Sequence, residues 1–278
     1  MEEDLNLVSK FVESPVGRIH YQEFGQGDAV FLIHGGGPGA YGLSNFRRNI
    51  GALGARHRVI VVDLPGYGQS DARSLATGLF APMASAIEEV MDQEQIAKAS
   101  FVGNSLGGGT AICFALDNPD RTNRLVLMGP GGSVPLFSPF PTEGLLRMLN
   151  YYGGDGPSIE KLEGVIDLLV YDRTLITPEL VAERFKMSTL PQVLANPPLR
   201  GGLANPNDNL WQRGVERIVA PTLLVWGRED RVIPLDAAFL LLKLMPNADL
   251  HVLSKCGHWA QWERADEFNA LILAFLEG

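Results

Sequence analysis

The sequence predicts an α/β protein with a mostly parallel, doubly wound sheet and an inserted helical cap. Three observations carry this. Short runs rich in Val, Ile and Leu alternate with longer stretches of helical period. The runs are continuously apolar, which is how strands covered on both faces read. The alternation stops between about Ser133 and Trp211 and then resumes.

Taken in chain order, GRIHYQEFG (17–25) reads as an antiparallel edge strand or hairpin. AVFLIHG (29–35), RVIVVDLPG (58–66), ASFVGNS (99–105), RLVLMGPGG (124–132), TLLVWGRED (222–230) and DLHVLSKCG (249–257) read as buried strands, each closed by a turn signal. LFAPMASAIEEVMDQ (79–93), GGTAICFALDN (108–118), LDAAFLLLKLM (235–245) and ERADEFNALILAFLE (263–277) read as crossover helices. Such alternation gives a parallel sheet with helices on both faces. Residues 133–211 contain no buried-strand run, and pieces such as GLLRMLNYY and TPELVAERFKMS are helix-like. Because the strand pattern resumes afterwards, 133–211 is expected to be a lid inserted into a core of 1–132 and 212–278, and not a separate helical domain. No internal repeat or low-complexity tract is present.

The chain has 278 residues, 46% hydrophobic, with a formal net charge of −9. The negative field argues against non-specific partners such as nucleic acid or an anionic membrane. An acidic ligand would need local positive charge to oppose it. MEEDLNLVSK lacks the basic and apolar regions of a signal peptide, and no apolar run reaches the roughly 18 residues of a membrane span. Two cysteines, Cys113 and Cys256, make neither a disulfide framework nor a zinc site. A cytoplasmic enzyme or binding protein is expected, with no metal and no organic cofactor.

Gly103-Asn104-Ser105-Leu106-Gly107 matches G-x-S-x-G between an apolar run and a helical run. A strand feeding straight into a helix forces a sharp turn, and small neighbours let nearby backbone approach it. Such a turn exposes the hydroxyl at the carboxyl end of the sheet and aims a helix amino terminus at it. Ser105 is therefore the candidate nucleophile, and a plain turn is the bland alternative.

A serine hydroxyl needs a base. Of the five histidines, His258 follows a strand where a loop should emerge beside Ser105; His20, His57 and His251 are tied to strands elsewhere. The base needs an orienting carboxylate. Asp230 closes LLVWGRED, and the order Ser, Asp, His favours it. Asp63 in VVDLPG and the adjacent Glu229 compete. The loop His34-Gly35-Gly36-Gly37-Pro38-Gly39 follows a strand, and one of its N–H groups with that of Leu106 would make a two-donor oxyanion hole. The loop lacks the Lys-Ser/Thr of a P-loop, so a nucleotide role is disfavoured.

With these residues in place, the chain resembles an α/β-hydrolase of the meta-cleavage-product hydrolase family. The resemblance runs through HGGGPGAYGLSNFRRNI, VVDLPGYGQSD, FVGNSLGGGTAICFALDNPDR, LVLMGPGG, VYDRTLITPELVAERF, LLVWGREDRVIPLD and LHVLSKCGHWAQWERADEFN. It looks most like the branch acting on biphenyl- or steroid-derived substrates. Segments 136–160 and 191–211 match loosely or not at all, and they should shape the distal pocket.

The resemblance implies Ser105, Asp230 and His258 as the triad and Gly36 and Leu106 as the oxyanion positions. It also implies Asn45, Asn104, Arg184 and Trp259 as substrate contacts. The bland readings are a helix cap for Asn45, core for Trp259 and a solvated helix face for Arg184.

The activity implied is cofactor-independent hydrolysis of a carbon–carbon bond in 2-hydroxy-6-oxohexa-2,4-dienoates. The dienol first becomes a keto form, water or Ser105 adds to the distal ketone, and a carboxylic acid and 2-hydroxypentadienoate leave. A homodimer or homotetramer is also implied. The alternatives are a carboxylesterase, an aminopeptidase holding a substrate amine on cap acids such as Glu160, Glu163 and Asp167, and a ligand receptor with an intact triad. Dehalogenases and epoxide hydrolases use Asp where this chain has Ser105.

Overall fold

In the computed structural model, residues 5–71, 78–132, 135, 140–199 and 208–278 are described. An amino-terminal hairpin, β1 (Val8–Ser14) and β2 (Gly17–Phe24), leads into β3 (Ala29–Ile33). Two short helices, α1 (Gly42–Phe46) and α2 (Ile50–Gly54), precede β4 (Arg58–Val62). Then come α3 (Phe80–Gln93), β5 (Ala99–Asn104), α4 (Leu106–Asp117) and β6 (Thr122–Met128).

Among the described residues, four α-helices lie between β6 and the next strand: α5 (Glu143–Asn150), α6 (Ile159–Leu169), α7 (Pro178–Ser188) and α8 (Pro191–Ala195). The chain returns to the sheet with β7 (Thr222–Gly227), α9 (Asp236–Leu244) and β8 (Ala248–Leu253). It closes with α10 (Ala260–Glu263) and α11 (Ala265–Glu277).

The eight strands form one sheet in the order β1-β2-β4-β3-β5-β6-β7-β8. β1 and β2 pair antiparallel, as do β2 and β4; the remaining pairs are parallel. Successive side chains of β3 divide between two cores. Phe31 and Ile33 join the face covered by α3, α4 and α9, while Val30 and Leu32 join the face covered by α1, α2 and α11. This two-sided burial explains the unbroken apolarity of the central strands.

The expectation of a buried strand fails at β8. It is the sheet edge, and only Leu253 among its residues is buried. With no strand beyond it, Asp249 and Val252 face solvent. The helix expected over 263–277 also divides, because Arg264 leaves helical geometry at φ −120° between α10 and α11.

The first three helices after β6, α5, α6 and α7, carry their own start signals. Thr142, Ser158 and Thr177 accept hydrogen bonds from the N–H groups of Leu145, Lys161 and Leu180, and Pro178 opens α7. Each such cap is typically worth ~1 kcal/mol. Among the described residues, no helix is long and apolar enough to cross a membrane.

Candidate active site

The site gathers at the carboxyl ends of five strands. The chain moves outward from β3 to β4 and then crosses back to place β5 on the other side of β3. A reversal of strand order opens a crevice at that point. The loops leaving β3 and β5 there carry His34–Gly39 and Ser105.

Ser105 occupies the turn between β5 and α4 with φ 53° and ψ −111°. A non-glycine residue there costs of order 1–3 kcal/mol, so the surroundings must enforce it. Ser105 N–H donates to Met128 O at 2.8 Å, and Ser105 O accepts from the N–H groups of Gly109 and Gly131, both at 3.0 Å. The turn also needs its glycine: a Cβ on Gly107 would lie 2.0 Å from Ile33 O. The helix begins immediately after the serine, so the Leu106 N–H has no intrahelical acceptor.

His258 and Asp230 meet at the ends of β8 and β7. His258 Nδ1–H donates to Asp230 Oδ2 at 2.7 Å, and both side chains are buried. Asp230 Oδ1 accepts from the N–H groups of Val232 (2.8 Å) and Ile233 (3.0 Å), which fix the carboxylate plane. The proton is thereby held on Nδ1. His258 Nε2 is buried and has no hydrogen-bond partner, so its lone pair is open.

The competing carboxylates are engaged elsewhere. Asp63 Oδ2 accepts from His20 Nδ1–H at 2.8 Å, and Glu229 accepts from Cys256 N–H at 3.0 Å while pairing with Arg228. His251 lies 3.8 Å from Glu267.

The glycine loop after β3 is held by groups whose side-chain roles the motif does not reveal. Leu64 N–H donates to His34 Nε2 at 3.0 Å, which leaves the other ring nitrogen protonated and donating to Gly35 O at 2.8 Å. Burial lowers the His34 pKa to about 4, so the ring is neutral near pH 7. In a planar trans peptide, C=O and N–H point opposite ways. Anchoring Gly35 O therefore turns the Gly36 N–H away from His34. Tyr67 Oη–H donates to Gly36 O at 3.1 Å and fixes the next peptide. Gly36, Ser105 and Leu106 line one cavity of about 480 Å³.

Arg184, on α7, is 1% exposed. Its Nη2–H donates to Pro38 O at 2.9 Å, its Nη1–H reaches Ser44 Oγ at 3.4 Å, and the guanidinium lies 4.8 Å from the Trp259 ring centroid. Nε is buried without a partner, and no carboxylate among the described residues pairs with the cation. Burial lowers its pKa to about 10, which still leaves it charged near pH 7. The solvated-face reading of Arg184 is therefore replaced by a buried cation beside the glycine loop.

Trp259 is buried, as its core reading required, but it also carries this cation on its face. Asn45 is not a helix cap. It sits inside α1, with Oδ1 accepting from Gly35 N–H at 3.4 Å. Asn104 Nδ2–H donates to His258 O at 3.0 Å, while its Oδ1 is buried and unpartnered. The acids considered for holding an amine point outward: Glu160 is exposed, and Glu163 and Asp167 pair with Arg173.

Gly129, at the end of β6, also lay outside the sequence reading. A Cβ there would stand 2.8 Å from His258 Cε1 and 3.1 Å from Asp230 Oδ2. Only its place at a strand end could have signalled it. Among the described residues, no group of three His, Cys, Asp or Glu side chains could hold a metal ion.

A sharp serine turn, a His–Asp pair and a glycine loop at the ends of a parallel sheet define the α/β-hydrolase class, and a family model of the α/β hydrolase fold matches residues 28–265. A 2-hydroxy-6-oxo-6-phenylhexa-2,4-dienoate hydrolase of Burkholderia cepacia is 44% identical over 269 residues, covering 93% of this chain and 91% of the relative. A 2-hydroxy-6-oxononadienedioate/2-hydroxy-6-oxononatrienedioate hydrolase of Comamonas testosteroni is 44% identical over 263 residues with the same coverage. The solved structure of a meta-cleavage product hydrolase from Pseudomonas fluorescens IP01 aligns with a TM-score of 0.83 at 35% identity, over 96% of this chain and 97% of that one. The chain belongs to the meta-cleavage-product hydrolases of the α/β-hydrolase family.

Proposed function

We propose that this protein hydrolyses the carbon–carbon bond of 2-hydroxy-6-oxo-6-substituted-hexa-2,4-dienoates, giving 2-hydroxypenta-2,4-dienoate and a carboxylic acid. The observation that carries this reading is Arg184, a buried cation without a carboxylate partner beside the loop that borders Ser105. An uncompensated buried charge is costly unless something completes it. A substrate carboxylate does so, and the guanidinium fork also orients it. Trp259, Asn45 and Asn104 are the further contacts for the dienoate end.

With the carboxylate held there, the distal ketone reaches Ser105. Ketonisation of the dienol gives the departing carbon fragment an electron sink. Ser105 Oγ adds to the C6 carbonyl as His258 Nε2 takes its proton, and Asp230 stabilises the imidazolium. The oxyanion is received by the N–H groups of Gly36 and Leu106, each typically worth ~3 kcal/mol in the transition state. The C5–C6 bond breaks, C5 takes the proton, and the acyl group stays on Ser105. Water, activated by His258, then releases the acid. No step calls for a metal or an organic cofactor.

The helices between β6 and β7 act as the lid in this reading, with 133–211 inserted into a core of 1–132 and 212–278. The distal substituent occupies the cavity of about 480 Å³, where Phe80, Leu145, Met148 and Trp211 supply apolar walls. No basic side chain lies among its described lining residues. The one carboxylate, Asp208, already accepts from the Leu79 and Phe80 N–H groups at the start of α3. A neutral aryl or alkyl group fits this lining better than a terminal carboxylate.

The protein is further read as cytoplasmic and dimeric or tetrameric. Cys113 and Cys256 are free thiols, and Phe239 on α9 and Val252 on β8 are exposed apolar residues available to a second copy. Size-exclusion chromatography with light scattering would give a monomer if the assembly reading is wrong.

The central test of the reading is Arg184→Gln. It should lower kcat/KM for a 6-phenyl dienoate by several-fold to hundreds-fold, about 1–3 kcal/mol for a charged hydrogen bond. A neutral nitrophenyl ester should be nearly unaffected. Equal losses on both substrates, or none on the dienoate, would favour a general esterase.

A further inference from the structure

We propose that Glu263 is a positioning residue that fastens the His258 loop to the segment leaving α6, so that the base faces Ser105 only while that segment is seated. This rests on the reading of His258 as the base.

Glu263 ends the four-residue helix α10, five positions after His258. The residue is 8% exposed, and no cation among the described residues pairs with its carboxylate. Instead it collects three backbone donors from two distant stretches of chain. Oε1 accepts from Gly257 N–H at 2.6 Å, and Oε2 accepts from the N–H groups of Tyr171 (2.7 Å) and Asp172 (2.9 Å). Hydrogen bonds to an ionised acceptor are shorter and stronger than neutral ones.

A second tie runs the other way. Leu169 O, at the end of α6, accepts from both His258 N–H (2.8 Å) and Trp259 N–H (3.2 Å). His258 O is held in turn by Asn104, the neighbour of Ser105. The N–H groups of Gly257, His258 and Trp259 and the His258 carbonyl are thus all held, two of them by Leu169 O. An amide in place of the carboxylate would leave its NH₂ facing an N–H donor, and an aliphatic side chain would leave all three donors without an acceptor. The carboxylate is the group that fits three converging N–H donors.

The inference is tested with Glu263→Gln and Glu263→Asp in the full-length chain, beside His258→Ala. For a 6-phenyl dienoate, Glu263→Gln should lower kcat ten- to hundred-fold with KM within two-fold. Acylation of Ser105 by a nitrophenyl ester should slow by the same factor. Dienoate affinity, read in a Ser105→Ala background, should stay within two-fold. Glu263→Asp keeps the charge but shortens the reach, and should fall between Gln and wild type.

A purely structural role would lower the melting temperature without moving kcat at constant KM. The proposal is overturned if kcat of Glu263→Gln stays within two-fold of wild type, or if the loss sits in KM and affinity. Should the Gln variant not fold, wild-type kcat in Glu263→Asp overturns it alone. Substantial turnover by His258→Ala would instead remove the reading of the base on which the inference rests.

Discussion

Ser105 is held in a conformation that L-residues avoid, and the groups that enforce it also aim it. Ser105→Ala should keep the fold and lower turnover by a factor on the order of 10⁶, the usual cost of losing a triad nucleophile. Steady-state cleavage of a dienoate reads this directly. Asp230→Asn removes the acceptor that holds the His258 proton on Nδ1 and should cost roughly 10⁴-fold, as in serine proteases. If Asp63→Asn is the crippled variant, Asp230 is not the orienting acid. Gly129→Ala tests the packing beneath the pair. Its Cβ would press on His258 and Asp230 from a backbone at φ 46°, so kcat should fall at least ten-fold while dienoate affinity is kept. Wild-type kcat would show that the pair tolerates displacement. Ser105, Asp230 and His258 were legible because each follows a strand end. Arg184 was legible from the resemblance and from its place at the edge of the Leu180–Val181–Phe185 stripe, although TPELVAERF also admits a solvated helix face. Glu263 was not legible, because a charge in QWERADEF reads as an exposed helix face until its three donors are seen.

At the scale of elements, the glycine loop after β3 depends on a buried, neutral imidazole. An exposed histidine binds a proton near pH 6.5, but buried His34 does so only near about 4. The unfolded chain therefore takes up the proton first as pH falls. His34 contributes stability that is complete above pH 6.5 and is lost as pH falls from there towards 4, by at most about 3 kcal/mol. Urea unfolding at pH 7 and pH 4.5 should show a smaller pH dependence for His34→Gln than for wild type; equal dependence would count against a neutral buried ring. The central strands and crossover helices were readable because two-sided burial writes an unbroken apolar run. β8 was misread for the same reason: DLHVLSKCG has the composition of a buried strand, but among the described residues no strand pairs with its outer edge. α1 and α2, five residues each, are too short to leave a periodic pattern.

At the scale of the molecule, the site is divided between a buried cation on α7 and an apolar cavity on the side of α3 and α5, with Ser105 between the glycine loop and that cavity. A protein carrying a net charge of −9 would repel a dienoate at long range, and in the proposed reading Arg184 provides the local attraction. The cavity should favour a 6-phenyl dienoate over a nonadienedioate-type substrate by at least ten-fold in kcat/KM, because a terminal carboxylate would lose its water without gaining a cation from the described lining residues. A competition assay between the two substrates reads the ratio, and a preference for the dianion would reject the neutral-pocket reading. This part of the site was not legible: Phe80, Leu145 and Met148 lie in stretches that read as helices, but nothing in them shows which face lines a cavity. The most direct measurement of the whole account is turnover of a 6-phenyl dienoate by the purified protein and by Ser105→Ala, following loss of the dienolate absorbance and identifying the products. The account predicts benzoate and 2-hydroxypenta-2,4-dienoate in equal amounts from the wild type and negligible turnover by the variant. A wild-type protein that leaves the dienoate intact while hydrolysing a nitrophenyl ester, or a Ser105→Ala variant that still cleaves the dienoate, would contradict it.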